Sequence, residues 1–390
     1  MKRKIVLLFL AALMLVSAIP FSAFAAGSSK VYDYYSKKGS YAVSTLTFNI
    51  KDNEFTYKVW YPKNIKELGK RPVLLYCNGT GSDYEKSKST DNFLSVAASH
   101  GYVCLCNTDQ NTGLGTSMDA GFTELMAIGA KKGSKLYSLL DLNKVVIAGH
   151  SQGATCTINL SDPAQYENAK YYKAIFMASL PTPALENSPI QNCPYDSTTV
   201  TLPTLLIGGT GVTDASFIAP WDTSLYPNFQ NFKGDKYLAR MKGVEHADSI
   251  EKTAPYMLAW FDYQLFGKPF AATAFIGKNA ELKTNPDWQD FKVKIKKRPL
   301  KAKSVKALKG GFKISWKKDL RVSAYQIKYA DNKAFKKCKK INVKGAKAAS
   351  KTIKKLKSKK TYYIRVRAYT VVGSKKFYTN WSALKTVKTK

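Results

Sequence analysis

The stretch VVIAGHSQGATC, residues 145–156, decides the fold class of the largest part of this chain. Its first four residues are a continuous apolar run, which is typical of a strand buried on both faces of a sheet. The run leads into Gly149-His150-Ser151-Gln152-Gly153 and then into small residues that a helix tolerates. A serine between two glycines at a strand-to-helix turn indicates a nucleophile held exposed by a strained turn, or else a tight turn that happens to contain a serine. The rest of the chain has to separate these two interpretations.

Strand and helix patterns alternate on both sides of this stretch. Buried strands alternating with helices predict an α/β domain, with a mostly parallel sheet and helices on both faces. The first two strands form an antiparallel pair. The predicted strands cover 41–49, 55–61, 72–77, 102–106, 144–148, 173–177, 204–207 and 237–241, and the predicted helices cover 91–100, 122–140 with a break near Gly129, and 256–265.

From about residue 298 the pattern changes to short strands of period two, as in Phe312, Ile314 and Trp316. This predicts a small all-β sandwich. Trp316 on an early strand, and Leu356 six residues before Tyr362, give residues 300–389 a resemblance to a fibronectin type III module with its tyrosine corner. We therefore expect a catalytic domain over 26–297, in which 267–297 joins the two units, and a β domain over 298–390.

The first residues have the features of a secretory signal. A basic start at 1–4 precedes an apolar run at 5–19 and the small-residue site Ala23-Phe24-Ala25. We predict cleavage after Ala25, which makes 1–25 the signal peptide. A membrane anchor is the alternative, but the run is short for a span and no second candidate follows. The expected location is secreted, with cell-wall association left open.

The net charge of +35 is concentrated at one end of the chain. Residues 291–390 hold 34 Lys and Arg against only Asp319 and Asp331, while the remainder is close to neutral. We expect the basic module to contact an anionic cell-wall or polysaccharide surface, or to serve as a solvated spacer. Nucleic acid is disfavoured because no base-stacking motif is present.

The six cysteines do not suggest a disulfide framework. Five lie in the large domain, and Cys338 stands alone in the basic one. Cys77, Cys104, Cys106 and Cys156 fall in predicted strands or beside the serine turn, where a free thiol acts as a small hydrophobe. We expect mostly reduced, buried thiols.

A serine nucleophile needs a base and an acid that orients the base, and here they should follow in the order serine, acid, histidine. Of the three histidines, only His246 lies downstream of Ser151. Asp214 follows the predicted strand 204–207 and is the expected acid, with Asp222 as the reserve. Glu245 and Asp248 are too close to His246 in sequence to be favoured.

The developing oxyanion requires N–H donors. In a turn of this kind the residue after the nucleophile, Gln152, provides one backbone N–H. The glycine-containing loop CNGTGS, 77–82, is expected to provide the second from Thr80. No metal or organic cofactor is required.

These residues together resemble the α/β-hydrolase superfamily. The stretches KGSYAV at 38–43, ASHGYV at 98–103 and NTD at 107–109 resemble the bacterial cutinase and poly(ethylene terephthalate) hydrolase family, which is related to dienelactone hydrolases. The resemblance implies a lidless esterase with Ser151, Asp214 and His246 as its triad. The chain departs from the family at Gln152, where the family usually has Met. It also lacks the Trp of the substrate platform, for which Trp221, on another loop, is a candidate substitute.

The sequence therefore predicts a serine carboxylic ester hydrolase that acts on small or polymeric esters through an acyl-enzyme. Two alternatives stay open. One is a surface-binding protein that retains the hydrolase fold without activity. The other is a serine peptidase or acyltransferase on the same scaffold.

Overall fold

Nine strands form one mixed, mostly parallel sheet in the computed structural model, which describes residues 30–390. The predicted signal peptide, 1–25, lies outside the described residues. The strands are β1 Val43–Asn49, β2 Thr56–Pro62, β3 Arg71–Cys77, β4 Val103–Asn107, β5 Leu140–His150, β6 Tyr172–Ala178, β7 Thr204–Gly209, β8 Lys236–Met241 and β9 Trp288–Lys294. Their order in the sheet is β1-β2-β4-β3-β5-β6-β7-β8-β9.

The strand directions agree with the sequence pattern. The β1–β2 and β2–β4 pairs are antiparallel, whereas the pairs from β4 through β3, β5, β6 and β7 to β8 are parallel. Every residue of β4 and β7 is buried, and all but one residue of β3 and of β6. Successive side chains point to opposite faces, so both faces of the central sheet are covered. The α/β prediction, with its antiparallel opening pair, is confirmed.

Ten α-helices lie among the described residues. They are α1 Lys30–Tyr35, α2 Ile65–Leu68, α3 Lys88–Ser99, α4 Thr116–Ala130, α5 Gln152–Leu160, α6 Pro183–Glu186, α7 Tyr226–Asn231, α8 Ser249–Phe266, α9 Pro269–Ala272 and α10 Glu281–Thr284. None of the helices within 30–390 is both long enough and apolar enough to cross a membrane.

Two element predictions were wrong. The helix expected at 122–140 is α4, which begins earlier and ends at Ala130. The chain turns after it because Gly133 and Ser138 adopt positive φ angles of 91° and 59°. Residues 288–294, expected within a joining stretch, form strand β9 of the sheet. Charged side chains are usual on an edge strand, and here they interrupt the apolar pattern by which a strand is predicted from sequence.

The C-terminal region is all-β, as predicted. Its strands are β10 Ala302–Leu308, β11 Gly311–Trp316, β12 Ala324–Ala330, β13 Lys339–Lys344, β14 Ser350–Ile353, β15 Thr361–Val372, β16 Lys375–Tyr378 and β17 Lys385–Lys388. They form a three-stranded sheet, β10-β11-β14, and a five-stranded sheet, β13-β12-β15-β16, in which β17 also pairs with β15. All of these pairs are antiparallel.

The core of this region consists of the alternating residues that the period-two pattern selects. Phe312, Ile314 and Trp316 of β11 are buried together with residues of β12 and β15. The backbone N–H of Lys357 donates to the Tyr362 hydroxyl at 3.3 Å, so this tyrosine bonds to the chain just upstream of its own strand.

The chain forms two compact units. One runs up to Phe261 and includes Asn285–Lys292, and the other contains Asp262–Thr284 and Val293–Lys390. All six cysteines are free thiols, and the five of the first unit are buried. Burial raises the pKa of the Cys104 thiol well above its ordinary value, which keeps the group protonated and unreactive.

Candidate active site

Ser151 lies between β5 and α5 in a strained backbone conformation, with φ 55° and ψ −128°. A non-glycine residue at positive φ is uncommon and costs free energy, so it is kept where the surrounding structure holds it. Here the Ser151 N–H donates to the carbonyl of Ala178 at 2.9 Å, at the end of the neighbouring strand β6. The serine is fixed at the carboxyl edge of the parallel strands.

The two glycines of the motif allow close backbone contacts around this turn. A Cβ on Gly149 would lie 2.0 Å from the carbonyl oxygen of Gly153. A Cβ on Gly153 would in turn lie 2.0 Å from the carbonyl oxygen of Cys77, at the end of β3. Side chains at either position are therefore excluded by backbone atoms, and the motif is required by packing as well as by strain.

Asp214 and His246 form a hydrogen-bonded pair. His246 Nδ1 lies 2.8 Å from Asp214 Oδ1, and the Asp214 carboxylate is fully buried. The other carboxylate oxygen accepts from the hydroxyl of Ser179 at 2.7 Å and from the backbone N–H of Gly209. Burial opposes the ionisation of Asp214, but the hydrogen bond and charge of His246, with the donors at Gly209 and Ser179, outweigh it and hold its pKa below the ordinary value.

His150, within the motif, contacts His246. The two imidazole rings lie 4.6 Å apart, and His150 Nε2 lies 2.9 Å from the backbone carbonyl oxygen of His246. Burial, and then the neighbouring His246, lower the pKa of His150 to about 3. A neutral His150 donates its Nε2–H to that carbonyl, so the residue before the serine holds the backbone of the candidate base.

Glu245 joins the loop of the base to the loop of the acid. Its two carboxylate oxygens accept the backbone N–H groups of Val212 and Thr213, each at 2.9 Å, just before Asp214. A Cβ on Gly211 would lie 2.3 Å from the Glu245 carboxylate carbon, so only glycine leaves room for this contact. Glu245, which its closeness to His246 in sequence disfavoured as the acid, thus binds the acid loop, a contact that the sequence did not predict.

The two residues expected to donate to an oxyanion share one acceptor. The Thr80 hydroxyl donates to Gln191 Oε1 at 3.0 Å, and Gln152 Nε2 donates to the same atom at 2.6 Å. A Cβ on Gly79, next to Thr80, would lie 3.2 Å from Ser151 Cβ, so this loop runs against the serine. Gln152 N begins helix α5, where backbone N–H groups lack intrahelical acceptors.

Other residues singled out from the sequence have different surroundings. Asp222 and Asp248 are exposed, and it is Asp214 that bonds to His246. The Trp221 ring stacks on Tyr226 at 5.2 Å, and the Arg240 guanidinium lies over it at 5.1 Å. Trp221 therefore packs against Tyr226 and Arg240 and is only partly buried.

Three residues that sequence reasoning missed support the site. They are Ser179, Glu245 and Gln191. Glu245 could have been suspected from the sequence, because its carboxylate stands next to the candidate histidine and the acid loop is rich in glycine, which leaves backbone N–H groups accessible. Ser179 and Gln191 follow no motif, since their contacts bridge segments that are far apart in sequence. Among residues 30–390, no group of three or more His, Cys, Asp or Glu side chains is arranged to hold a metal ion.

The chain matches no model of a known protein family, and no curated protein is significantly similar to it in sequence. The assignment of a function rests on the geometry of the site.

Proposed function

We propose that the protein is an exported serine hydrolase that cleaves carboxylic ester bonds. The observation that carries the proposal is the hydrogen bond between His246 and the buried Asp214, together with the contact of His246 with His150, the residue before a serine in a strained strand-to-helix turn. Serine, acid and histidine follow one another in the order typical of α/β-hydrolases. The arrangement also supports the resemblance to the cutinase and poly(ethylene terephthalate) hydrolase family, and that of the C-terminal region to a fibronectin type III module.

The reaction proceeds through an acyl-enzyme. His246 removes the proton of the Ser151 hydroxyl as its oxygen attacks the ester carbonyl, and then gives this proton to the departing alcohol. Asp214 accepts the Nδ1–H of His246, fixes its tautomer and stabilises the imidazolium. The backbone N–H groups of Gln152 and Thr80 stabilise the oxyanion. Water, activated by His246, releases the acid and restores the serine.

Exposed apolar side chains on the loops around the site support an apolar ester as substrate. Leu114 is 46% exposed and follows Gly113, whose N–H donates to the Gln152 side chain. Three further apolar side chains, those of Ile190, Val212 and Phe217, are more than half exposed. Ile190 precedes Gln191, and Val212 and Phe217 lie on either side of Asp214 in the sequence. These four side chains, each near a residue of the candidate site in sequence, would offer an ester substrate apolar surface.

The test is labelling of the whole chain with a fluorophosphonate, combined with hydrolysis of short-chain p-nitrophenyl esters. We expect the wild-type protein to be labelled and active, and Ser151→Ala to lose both properties. Ser138→Ala is the matched control, because Ser138 is an exposed serine at a similar φ of 59°. Labelling that persists in Ser151→Ala would overturn the proposal.

A comparison of substrates tests the bond that is cleaved. The wild-type protein should hydrolyse p-nitrophenyl esters and leave matched peptide p-nitroanilides intact. Cleavage of the anilides at a higher kcat/KM than the esters would assign the same serine to a peptidase.

A further inference from the structure

The outer face of the five-stranded sheet in the C-terminal region carries three cations in one row. Lys328 of β12 lies directly opposite Lys340 of β13 on one side and Arg365 of β15 on the other. Directly opposed residues point to the same face of a sheet, with Cβ atoms about 5 Å apart. The neighbouring Ile327 and Val366 point into the core, so the row points away from it.

Like charges placed directly opposite one another destabilise a sheet. Burial lowers the pKa of Lys328, and the charges of Arg365, Arg367 and Lys340 lower it further. The fold thus keeps a row of positive charges at a cost in stability.

The acids of this region do not neutralise the row. Residues 291–390 contain only two, Asp319 and Asp331. Asp319 pairs with Arg298 and Arg321, and Asp331 pairs with Lys360.

Aromatic rings hold the cations in place. The Lys328 ammonium lies 4.5 Å from the centre of the Phe335 ring and 4.6 Å from that of Trp381. The guanidinium of Arg365, the next cation of the row, lies 6.0 Å from the centre of the same Phe335 ring. Arg367, two residues further along β15, lies 4.3 Å from the Trp381 ring and 3.7 Å from the Tyr378 ring. Cation–π contacts order a long side chain but leave its charge in place, which lowers the entropy lost when an anion binds.

The same stacking argues against nucleic acid as the partner. Single-stranded nucleic acids bind protein aromatic rings by base stacking. Here the rings of Phe335, Trp381 and Tyr378 are already in contact with Lys and Arg side chains. What the face offers to a partner is a line of positive charge across three strands.

We propose that this face binds a linear acidic polysaccharide, whose successive anionic groups pair with Lys340, Lys328 and Arg365. A flexible polymer with regularly placed carboxylates matches a straight row of evenly spaced cations. The predicted export of the chain places it where such polymers occur. This binding site is independent of the proposed esterase activity.

The experiment measures binding of the whole chain to polygalacturonate at low ionic strength, with neutral dextran as the comparison polymer. We expect wild-type protein to bind polygalacturonate and not dextran, and added salt to weaken binding. The double variant Lys328→Gln with Lys340→Gln should bind roughly tenfold more weakly, as expected for the loss of two partly exposed ion pairs.

The matched control is Lys306→Gln with Lys313→Gln. These two exposed lysines also lie directly opposite each other, but on the three-stranded sheet of the same region. The control should bind within about twofold of the wild type, since surface charges away from the contact contribute little. Thermal unfolding checks that each variant folds, and the single variant Lys340→Gln, at an exposed position, serves if the double variant does not.

Three outcomes would overturn the proposal. The first is a wild-type protein that does not bind polygalacturonate. The second is an equal loss in the two double variants, which would mean that the total charge and not this row determines binding. The third is tighter binding of single-stranded DNA than of polygalacturonate at the same salt, lost in the Lys328 and Lys340 variant, which would assign the row to nucleic acid.

Discussion

Asp214 of the α/β unit accepts hydrogen bonds from His246, Ser179 and Gly209, whereas Lys328 of the C-terminal sheet lies between two further cations. The first charge is matched by groups of its own chain, and its pKa moves toward the charged form. The second is opposed by groups of its own chain, and its pKa moves toward the neutral form.

This difference between the two regions indicates what kind of ligand each region can bind. Charges that the chain itself balances hold a site in one geometry and leave it ready for a neutral substrate such as an ester. Charges that the chain leaves unbalanced retain their attraction for a partner of opposite sign. The near-neutral unit and the strongly basic unit therefore fit the two roles that we propose, ester hydrolysis and attachment to an acidic polymer.

The largest expected loss of activity comes from replacing Asp214, whose charge is matched by groups of its own chain. In Asp214→Asn the amide cannot hold the same tautomer of His246 or stabilise its positive charge, so kcat for ester hydrolysis should fall about 10³–10⁴-fold. Asp222→Asn is the matched control and should keep kcat within about twofold, because Asp222 is exposed and a surface change of this kind has little effect. A larger loss in Asp222→Asn than in Asp214→Asn would reverse the assignment of the acid.

Glu245 should have the next largest effect, through position and not through contact with substrate. Glu245→Ala removes both acceptors for Val212 N–H and Thr213 N–H, and the resulting shift of the acid loop should lower kcat roughly 10–100-fold with little change in KM. Glu245→Gln retains one good acceptor and should recover part of this loss.

The control for Glu245 is Asp248→Ala, which removes an exposed carboxylate from the same loop. If Asp248→Ala lowers kcat as much as Glu245→Ala does, the effect is one of local charge. If Glu245→Ala raises KM alone, the residue contacts substrate and does not position the acid.

The smallest expected effect is a dependence of stability on pH at His150. Its pKa is lower in the folded chain than in the unfolded chain, so its contribution is present in full above about pH 6.5 and is lost as the pH falls. We expect the free energy of unfolding of the wild type to fall by up to about 1 kcal/mol per pH unit from this residue below pH 6.5, less any screening by solvent. His150→Gln, which keeps an N–H donor, should show a shallower decrease in denaturant unfolding between pH 6.5 and 4. An identical slope in both proteins would contradict the neutral state of His150.

The sequence was sufficient for the features that depend on local patterns. The apolar runs predicted the parallel strands, and the spacing of glycines around Ser151 predicted the strand-to-helix turn. The pairing of Asp214 with His246 followed from their order along the chain. These signals are readable because strand burial and turn geometry each act over a few residues.

The rest depended on contacts between distant segments. Strand β9 was not predicted from the sequence, because charged residues are common on an edge strand and interrupt its apolar pattern. The bond from Ser179 to Asp214 joins the ends of two strands that are neighbours only in the sheet. The cation row was equally hidden, since Lys340, Lys328 and Arg365 are brought together by strand register alone.

The shared acceptor at Gln191 has a mechanical consequence. Because one oxygen atom accepts from both the Thr80 hydroxyl and the Gln152 amide, a shift of the segment around Gln191 would remove one hydrogen bond from each of these two loops at once. The two loops that we propose to bind the oxyanion are thereby linked through one side chain. Loss of that one side chain would remove a support from both loops.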